Sequence, residues 1–344
     1  MRRLLNLAKR VAKGRPAVGQ TPHDVVHREN KWKLLRYRSS RRYRTPVLMV
    51  PSLINRHYVL DLAPGRSVVE DLVSRGHDVF IIDWGTPGPE DRYLTFDTYA
   101  DNYIARALRK STRLAGSDQA HLLGYCLGGT LTTIHNAVRP ERIASHVALA
   151  APIQFYDEGL LSRWTRTKSF DVNSVVEAFG NVPWPLMQAS FHMLKPTLNF
   201  AKMVAVLDRA EDDEFLDGFF AAERWGSDNV SFPGEAYRRY IEELYQRNAL
   251  LAGTFTLSGQ PARLENIETP TMVVTFEHDH IVPHASASIL LDRIASTDKK
   301  QLHLNGGHVG AVVSPKAKDR LWSKLSEWFV AHEPGQRAAI RSVG

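Results

Sequence analysis

The 344 residues, 43% hydrophobic and 24% charged, suffice for a full globular core, either one large α/β domain with an insertion or two modest domains. A single cysteine excludes an intrachain disulfide framework, and no apolar run approaches the roughly 20 residues of a membrane span, so a reducing compartment, the cytoplasm, is expected. The net charge of +7 is unevenly placed: residues 1–44 hold fourteen Lys and Arg against Asp24 and Glu29, a net of +12, which leaves −5 for the rest.

Met1–Lys13 sets Leu4, Leu5, Ala8, Val11 and Ala12 at helical spacing among Arg2, Arg3, Lys9, Arg10 and Lys13. That spacing predicts a short amphipathic helix on an anionic or apolar surface, against the alternative of a solvated, frayed terminus. Lys9 and Arg10 interrupt the segment before a signal-peptide core could form. Gly14–Gln20 reads as a linker, so residues 1–20 form a basic arm. Its continuation carries Trp32, Tyr37 and Tyr43 among basic residues, but a solvated basic terminus explains these as well, and nucleic acid is not an expected partner.

Strand patterns then alternate with helices. Lys31–Arg38 alternates as an early strand, Pro46–Pro51 is a buried strand, Val68–Arg75 a helix, Asp78–Asp83 a buried strand and Tyr93–Arg109 helical. After the stretch Gln119–His135 comes another buried strand, His146–Pro152. Residues 155–263 hold no convincing buried strand but several helical patterns rich in aromatics, and the alternation resumes with Thr271–Phe276 and Lys300–Leu304. This order predicts a doubly wound, mostly parallel sheet formed by residues 21–154 and 264–334. A helical cap at 155–263 is inserted in it, and residues 335–344 form a tail. The alternative for 155–263 is a helical domain packed elsewhere.

The chemistry centres on QAHLLGYCLGGTLTTIH, Gln119–His135. An apolar run leads into G-Y-C-L-G-G and a helical pattern follows: strand, sharp turn, helix, with Cys126 at the apex. A lone cysteine is more often a small buried hydrophobe. Here Gly124 and Gly128 flank it at two residues either side, the G-x-nucleophile-x-G elbow of α/β-hydrolases with sulfur in place of oxygen. The helix N-terminus favours a thiolate, and the backbone N–H of Leu127 can face a developing oxyanion.

Asp279 follows the strand MVVTF and His308 follows the strand ending at Leu304. The order Cys126, Asp279, His308 is the hydrolase chain order, each member just past a strand's carboxyl end. His308 is expected to take the thiol proton, with Asp279 holding the imidazole tautomer. His303 is a weaker alternative base, within a strand pattern. His280 is either a supporting group beside Asp279 or a structural one. A second oxyanion donor should come from the loop after Pro51, with Ile54 first choice and Leu53 second. No phosphate-binding or dinucleotide motif and no metal-ligand spacing occurs, so no cofactor and no metal are expected.

Sulfur suits a particular task. A thiolate exchanges one thioester for another at little free-energy change, so the acyl group stays activated for a later hydroxyl. Such an enzyme must keep water from the intermediate, a job for an apolar cap. Elbow, sulfur and cap together favour acyl transfer over hydrolysis.

With G-Y-C-L-G-G, F-I-I-D-W-G-T-P, E-H-D-H-I-V-P and the late G-G-H, the chain resembles polyhydroxyalkanoate synthases, as do P-S-L-I-N-R-H-Y and Y-Q-R-N-A-L-L. The likeness runs from about Val25 to Ala331. It implies polymerisation of 3-hydroxyacyl-CoA into polyester on cytoplasmic granules, with coenzyme A thioester as substrate. Cys126 matches the nucleophile, His308 the general base and Asp279 the acid that also activates the incoming 3-hydroxyl. Ile54 and Leu127 match the oxyanion hole. The short N-terminal region resembles the short synthases that act with a second, smaller subunit; a homodimer is the other expected assembly. The basic arm, and Gln154 where the family more often has Asp, depart from the pattern. The alternative is a cysteine-dependent thioesterase or intracellular polyester depolymerase on the same fold. A granule-binding protein with a vestigial site is a third reading, and an intact triad argues against it.

Overall fold

Short runs of branched apolar residues, flanked by turns, make the centre of one sheet. The computed structural model describes Arg3, Asn6 and Arg10, then residues 14–40, 42–167, 169–194 and 198–334. Its strands are β1 Asp24–Glu29, β2 Trp32–Tyr37, β3 Val47–Val50, β4 Val79–Asp83, β5 Ala120–Tyr125 and β6 Ile143–Leu149. A small hairpin, β7 Thr256–Leu257 and β8 Gln260–Pro261, precedes β9 Thr271–Phe276 and β10 Lys299–Leu304. The eight-stranded sheet runs β1-β2-β4-β3-β5-β6-β9-β10. β1 and β2 pair antiparallel, as do β2 and β4; every later pairing in this sheet is parallel.

β3, β5, β6 and β9 are buried at every position, as parallel strands covered on both faces must be. The two-residue period sorts the faces: Leu48 and Val50 pack with Leu131 and Ile134, whereas Val47 and Met49 pack with Trp328 and Phe329. Each such side chain contributes roughly 1.5–3 kcal/mol by leaving water. This is the doubly wound α/β-hydrolase architecture.

Four local differences from the sequence reading have physical causes. β1 carries too many polar residues to read as a strand, yet Asn30, at φ 49°, turns it into a hairpin with β2. The expected Tyr93–Arg109 helix is a 3-10 turn at Pro89–Tyr93, then a π turn at Thr98–Tyr103 and an α-helix Ile104–Ala115 ended by Gly116 at φ 65°. β6 begins at Ile143 rather than His146, because Ser145 and His146 are buried polar residues satisfied by His121 and Thr132. Residues 14–20 are tied down rather than free: Gly19 N–H donates to Asp61 O at 2.9 Å, the Pro16 carbonyl accepts from Arg224, and Val18 packs on the core.

Between β6 and β9 the helices include Val172–Phe179, Trp184–Leu194, Leu198–Asp208, Asp213–Ser227 and Gly234–Arg239, the last running into a π turn, Tyr240–Gln246. Asp171 and Asp212 start two of them by accepting the N–H groups of Asn173 and Phe215. The apolar side chains of the expected helix in residues 1–13, and the tail 335–344, lie outside the described residues. Arg10 pairs with Asp213 and Asp217, and Asn6 donates to Ala210 O at 2.8 Å.

Candidate active site

β5 runs straight into the elbow. Cys126 sits at φ 55° and ψ −130°, a conformation costly for a residue with a Cβ. It is held there because Cys126 N–H donates to Leu149 O at 2.9 Å and Gly129 N–H to Cys126 O at 2.8 Å. The helix Leu127–Val138 starts at once. A Cβ at Gly124 would meet Gly129 and Thr132, and one at Gly128 the carbonyls of Val50 and Pro51. Glycine is therefore required on both sides of the nucleophile position by close packing.

The loop after β10 turns at Gly306, whose φ of 134° excludes most side chains, and presents His308. The loop after β9 presents Asp279. His308 Nδ1–H donates to Asp279 Oδ2 at 2.7 Å. Asp279 Oδ1 accepts the N–H groups of Ile281 and Val282, both at 2.9 Å. Both side chains are buried. The Nδ1 bond fixes the tautomer and leaves Nε2 for the sulfur of Cys126, which lies close enough to raise the ring's pKa. Burial pulls the His308 pKa down, but the Asp279 carboxylate, the Cys126 sulfur and the hydrogen bonds to both outweigh it, pushing it up to about 10. A protonated His308 is the counter-ion a thiolate needs.

The structure thus gathers Cys126, Asp279 and His308, three groups far apart in the chain. Leu127, the first residue of the elbow helix, has an N–H with no backbone acceptor among the described residues. Ile54 is buried in the loop after β3, but its N–H donates to Ser52 Oγ at 3.3 Å. Leu53 is buried beside it. His280 is exposed on the Asp279 loop. His303 is not part of the site: its Nδ1 bonds Thr275 Oγ1 at 2.9 Å, and its ring lies 4.4 Å from that of His284.

Sequence reading passed over four contributors. The Tyr125 hydroxyl donates to the His308 carbonyl at 3.1 Å, anchoring the base's backbone from the residue before the nucleophile. Ser52 holds the Ile54 N–H. Tyr240 and Tyr245, from the segment between β6 and β9, are buried with hydroxyls 3.4 Å apart. Burial first, with the charge on Cys126 among the lesser causes, keeps both phenols well above their ordinary pKa. The G-Y-C tripeptide was the available signal for Tyr125. For Tyr240 and Tyr245 there was none beyond aromatic richness.

Among the described residues no group of three His, Cys, Asp or Glu forms a metal site. No helix among them is long and apolar enough to cross a membrane.

A family profile described as alpha/beta hydrolase fold matches residues 45–315, and one described as the N-terminus of poly-beta-hydroxybutyrate polymerase (PhaC) matches residues 9–72. The poly(3-hydroxyalkanoate) polymerase subunit PhaC of Haloferax mediterranei is 37% identical over 317 residues, covering 91% of this chain and 64% of the relative. The chain therefore spans somewhat under two thirds of that relative's length. The corresponding subunit of Allochromatium vinosum is 33% identical, covering 90% of this chain and 89% of its own. Among solved structures, a soluble variant of monoglyceride lipase from Saccharomyces cerevisiae superposes with a TM-score of 0.56 at 13% identity, over 92% of this chain and 97% of the lipase. A putative non-heme bromoperoxidase from Mycobacterium tuberculosis gives 0.53 at 16% identity, over 90% and 99%. These two likenesses speak for the fold alone.

Proposed function

The chain belongs to the poly(3-hydroxyalkanoate) polymerase (PhaC) family, and on that premise we propose that it is an acyltransferase that polymerises 3-hydroxyacyl-CoA. The observation that carries the reading is buried His308, bonded to Asp279 at 2.7 Å and close enough to half-buried Cys126 for its sulfur to raise the ring's pKa.

In the proposed reaction the Cys126 thiolate attacks the thioester carbonyl. The carbonyl π electrons move to oxygen, where the N–H of Leu127 receives the charge, joined by that of Ile54 once it leaves Ser52. Collapse breaks the bond to coenzyme A, which departs as thiol with the proton that His308 carries. The acyl group is now a thioester on Cys126. The 3-hydroxyl of another acyl unit then attacks it, giving its proton to His308, and an oxyester forms as the Cys126 thiolate is released. Asp279 orients and charges His308 throughout. His280, exposed, has at most a supporting part.

We assign residues 21–154 and 264–334 to the core and 155–263 to a cap that keeps water from the intermediate; buried Tyr240 and Tyr245 support this. The exposed Trp184, Leu186, Met193, Met203, Val204 and Leu207 give that cap an apolar outer face. Such a face suits a polyester granule in the cytoplasm, a second synthase subunit or a second copy of the chain.

The test is to incubate purified protein with 3-hydroxybutyryl-CoA. The reading requires release of CoA together with insoluble polymer. Release of CoA with free acid instead would make the protein a thioesterase and overturn it.

A further inference from the structure

The loop that carries Ile54, the proposed second oxyanion donor, is held from two sides. The loop from Pro51 to Tyr58 is anchored on the core side by Trp84 Nε1, which donates to Pro51 O at 3.0 Å, by Ser52 Oγ, which accepts the Ile54 N–H, by buried Leu53 and Ile54, and by His57, which pairs with Asp83 at 3.2 Å. Beyond that point the segment after the helix Asp213–Ser227 grips it. Val230 N–H donates to Ile54 O at 3.1 Å, and Asn55 pairs with Asn229 both as an antiparallel bridge and through their side-chain amides. The Asp228 carboxylate accepts Arg56 Nε at 3.3 Å and the Tyr58 hydroxyl at 2.7 Å, one on each oxygen. Trp225 Nε1 donates to Arg56 O at 2.9 Å.

We propose that Asp228 and Asn229 are positioning residues that set the backbone of Ile54 for oxyanion binding. The Ile54 N–H belongs to the peptide plane just before the one that carries the Ile54 carbonyl, so holding that carbonyl and Asn55 leaves only the φ and ψ of Ile54 to orient the N–H. The present bond to Ser52 is long, and the Ile54 N–H must exchange that hydroxyl for a developing oxyanion. Where it goes is decided by the grip on either side. Asp228 is the stronger handle, because two donors converge on its charge. The proposed cap would thereby also complete the oxyanion hole, so that cap placement and carbonyl activation become one event.

This inference rests on Cys126 acting through a tetrahedral intermediate, though not on the identity of the acyl donor, and the test separates the two. Cys126 is modified in parallel by a β-lactone, whose ring opening passes through an oxyanion, and by iodoacetamide, whose displacement does not; both are followed by intact mass. Asp228→Ala and Asn229→Ala should slow acylation by roughly 10- to 100-fold while alkylation stays within about two-fold of the parent. Tyr58→Phe, which removes one hydroxyl and keeps the ring, should give a smaller loss of the same kind and serves if the alanine variants fail to fold. Asp228→Glu should recover part of the acylation rate. Equal losses in both reactions, or no loss in either, would overturn the assignment. A parent protein that is acylated by the lactone but inert toward 3-hydroxybutyryl-CoA would contradict the proposed function and leave this inference standing on its own test.

Discussion

At the carboxyl ends of β9 and β10, buried His308 meets a carboxylate at 2.7 Å and its pKa rises to about 10. Toward the amino ends of the same sheet, His77, His135 and His146 are buried as deeply, and their pKa values fall to about 4, 4 and 3. Burial acts the same way on all four, disfavouring the charged ring. The difference is the partner. His77, His135 and His146 bond Ser326 Oγ, the Ala100 carbonyl and Thr132 Oγ1, groups that satisfy a neutral imidazole. His308 has Asp279 on one side and the Cys126 sulfur on the other. Those three serve as packing with polar atoms, whereas His308 serves as a charge.

The largest expected effect breaks the charged end. Cys126→Ala should abolish CoA release from a 3-hydroxyacyl thioester, and Cys126→Ser should keep at most a trace. His308→Gln should lower turnover by roughly 1000-fold, within the range general-base removal usually costs. Comparable activity in the alanine variant would move the chemistry elsewhere.

Asp279→Asn sharpens the comparison, since it leaves His308 buried but removes the carboxylate that sets it apart. Turnover and the rate of Cys126 alkylation should fall together, because Asp279 bonds Nδ1 directly. If alkylation stays near the parent rate while turnover falls, Asp279 serves the later attack of the 3-hydroxyl instead.

The relay was legible because strand ends and chain order point to it, and strain at Cys126 is what its glycine neighbours anticipate. Its supports were not. Tyr125 meets the His308 carbonyl, and Asp228 and Asn229 meet the loop after β3, only once the chain has folded. The same holds for β6 and β1. Their polar residues pair across the sheet or lie at its edge, so local hydrophobicity understates them.

The two ends should also lose stability in opposite directions of pH. For His77, His135 and His146 the folded pKa is depressed, so the unfolded chain takes up protons first as pH falls below about 6.5. Their contribution is full above that value and is lost progressively as pH falls toward 4. For His308 the folded pKa is raised: its contribution is full below about 6.5 and is lost as pH rises through 10. Urea midpoints should therefore fall on both sides of neutrality. His146→Gln should flatten the acid limb and His308→Gln the alkaline one; a variant that flattens neither, or the opposite limb, breaks the comparison.

The smallest effect concerns the arm. Arg10 pairs with Asp217, which is largely exposed, and such pairs contribute about 0–1 kcal/mol. Deleting residues 1–14 should leave turnover of soluble substrate within roughly three-fold, yet weaken co-sedimentation with granules or anionic vesicles in a salt-dependent way. Unchanged sedimentation would leave the arm as a charged terminus only. Lost turnover would tie it to the fold.

The most direct measurement is the mass of the protein itself, quenched in acid within seconds of meeting a 3-hydroxyacyl-CoA and mapped by peptide. The account predicts one or more hydroxyacyl units in thioester linkage on the peptide carrying Cys126, released by neutral hydroxylamine and absent from Cys126→Ala. CoA release with an unmodified Cys126 throughout turnover, or acylation at another residue that persists in Cys126→Ala, would contradict it.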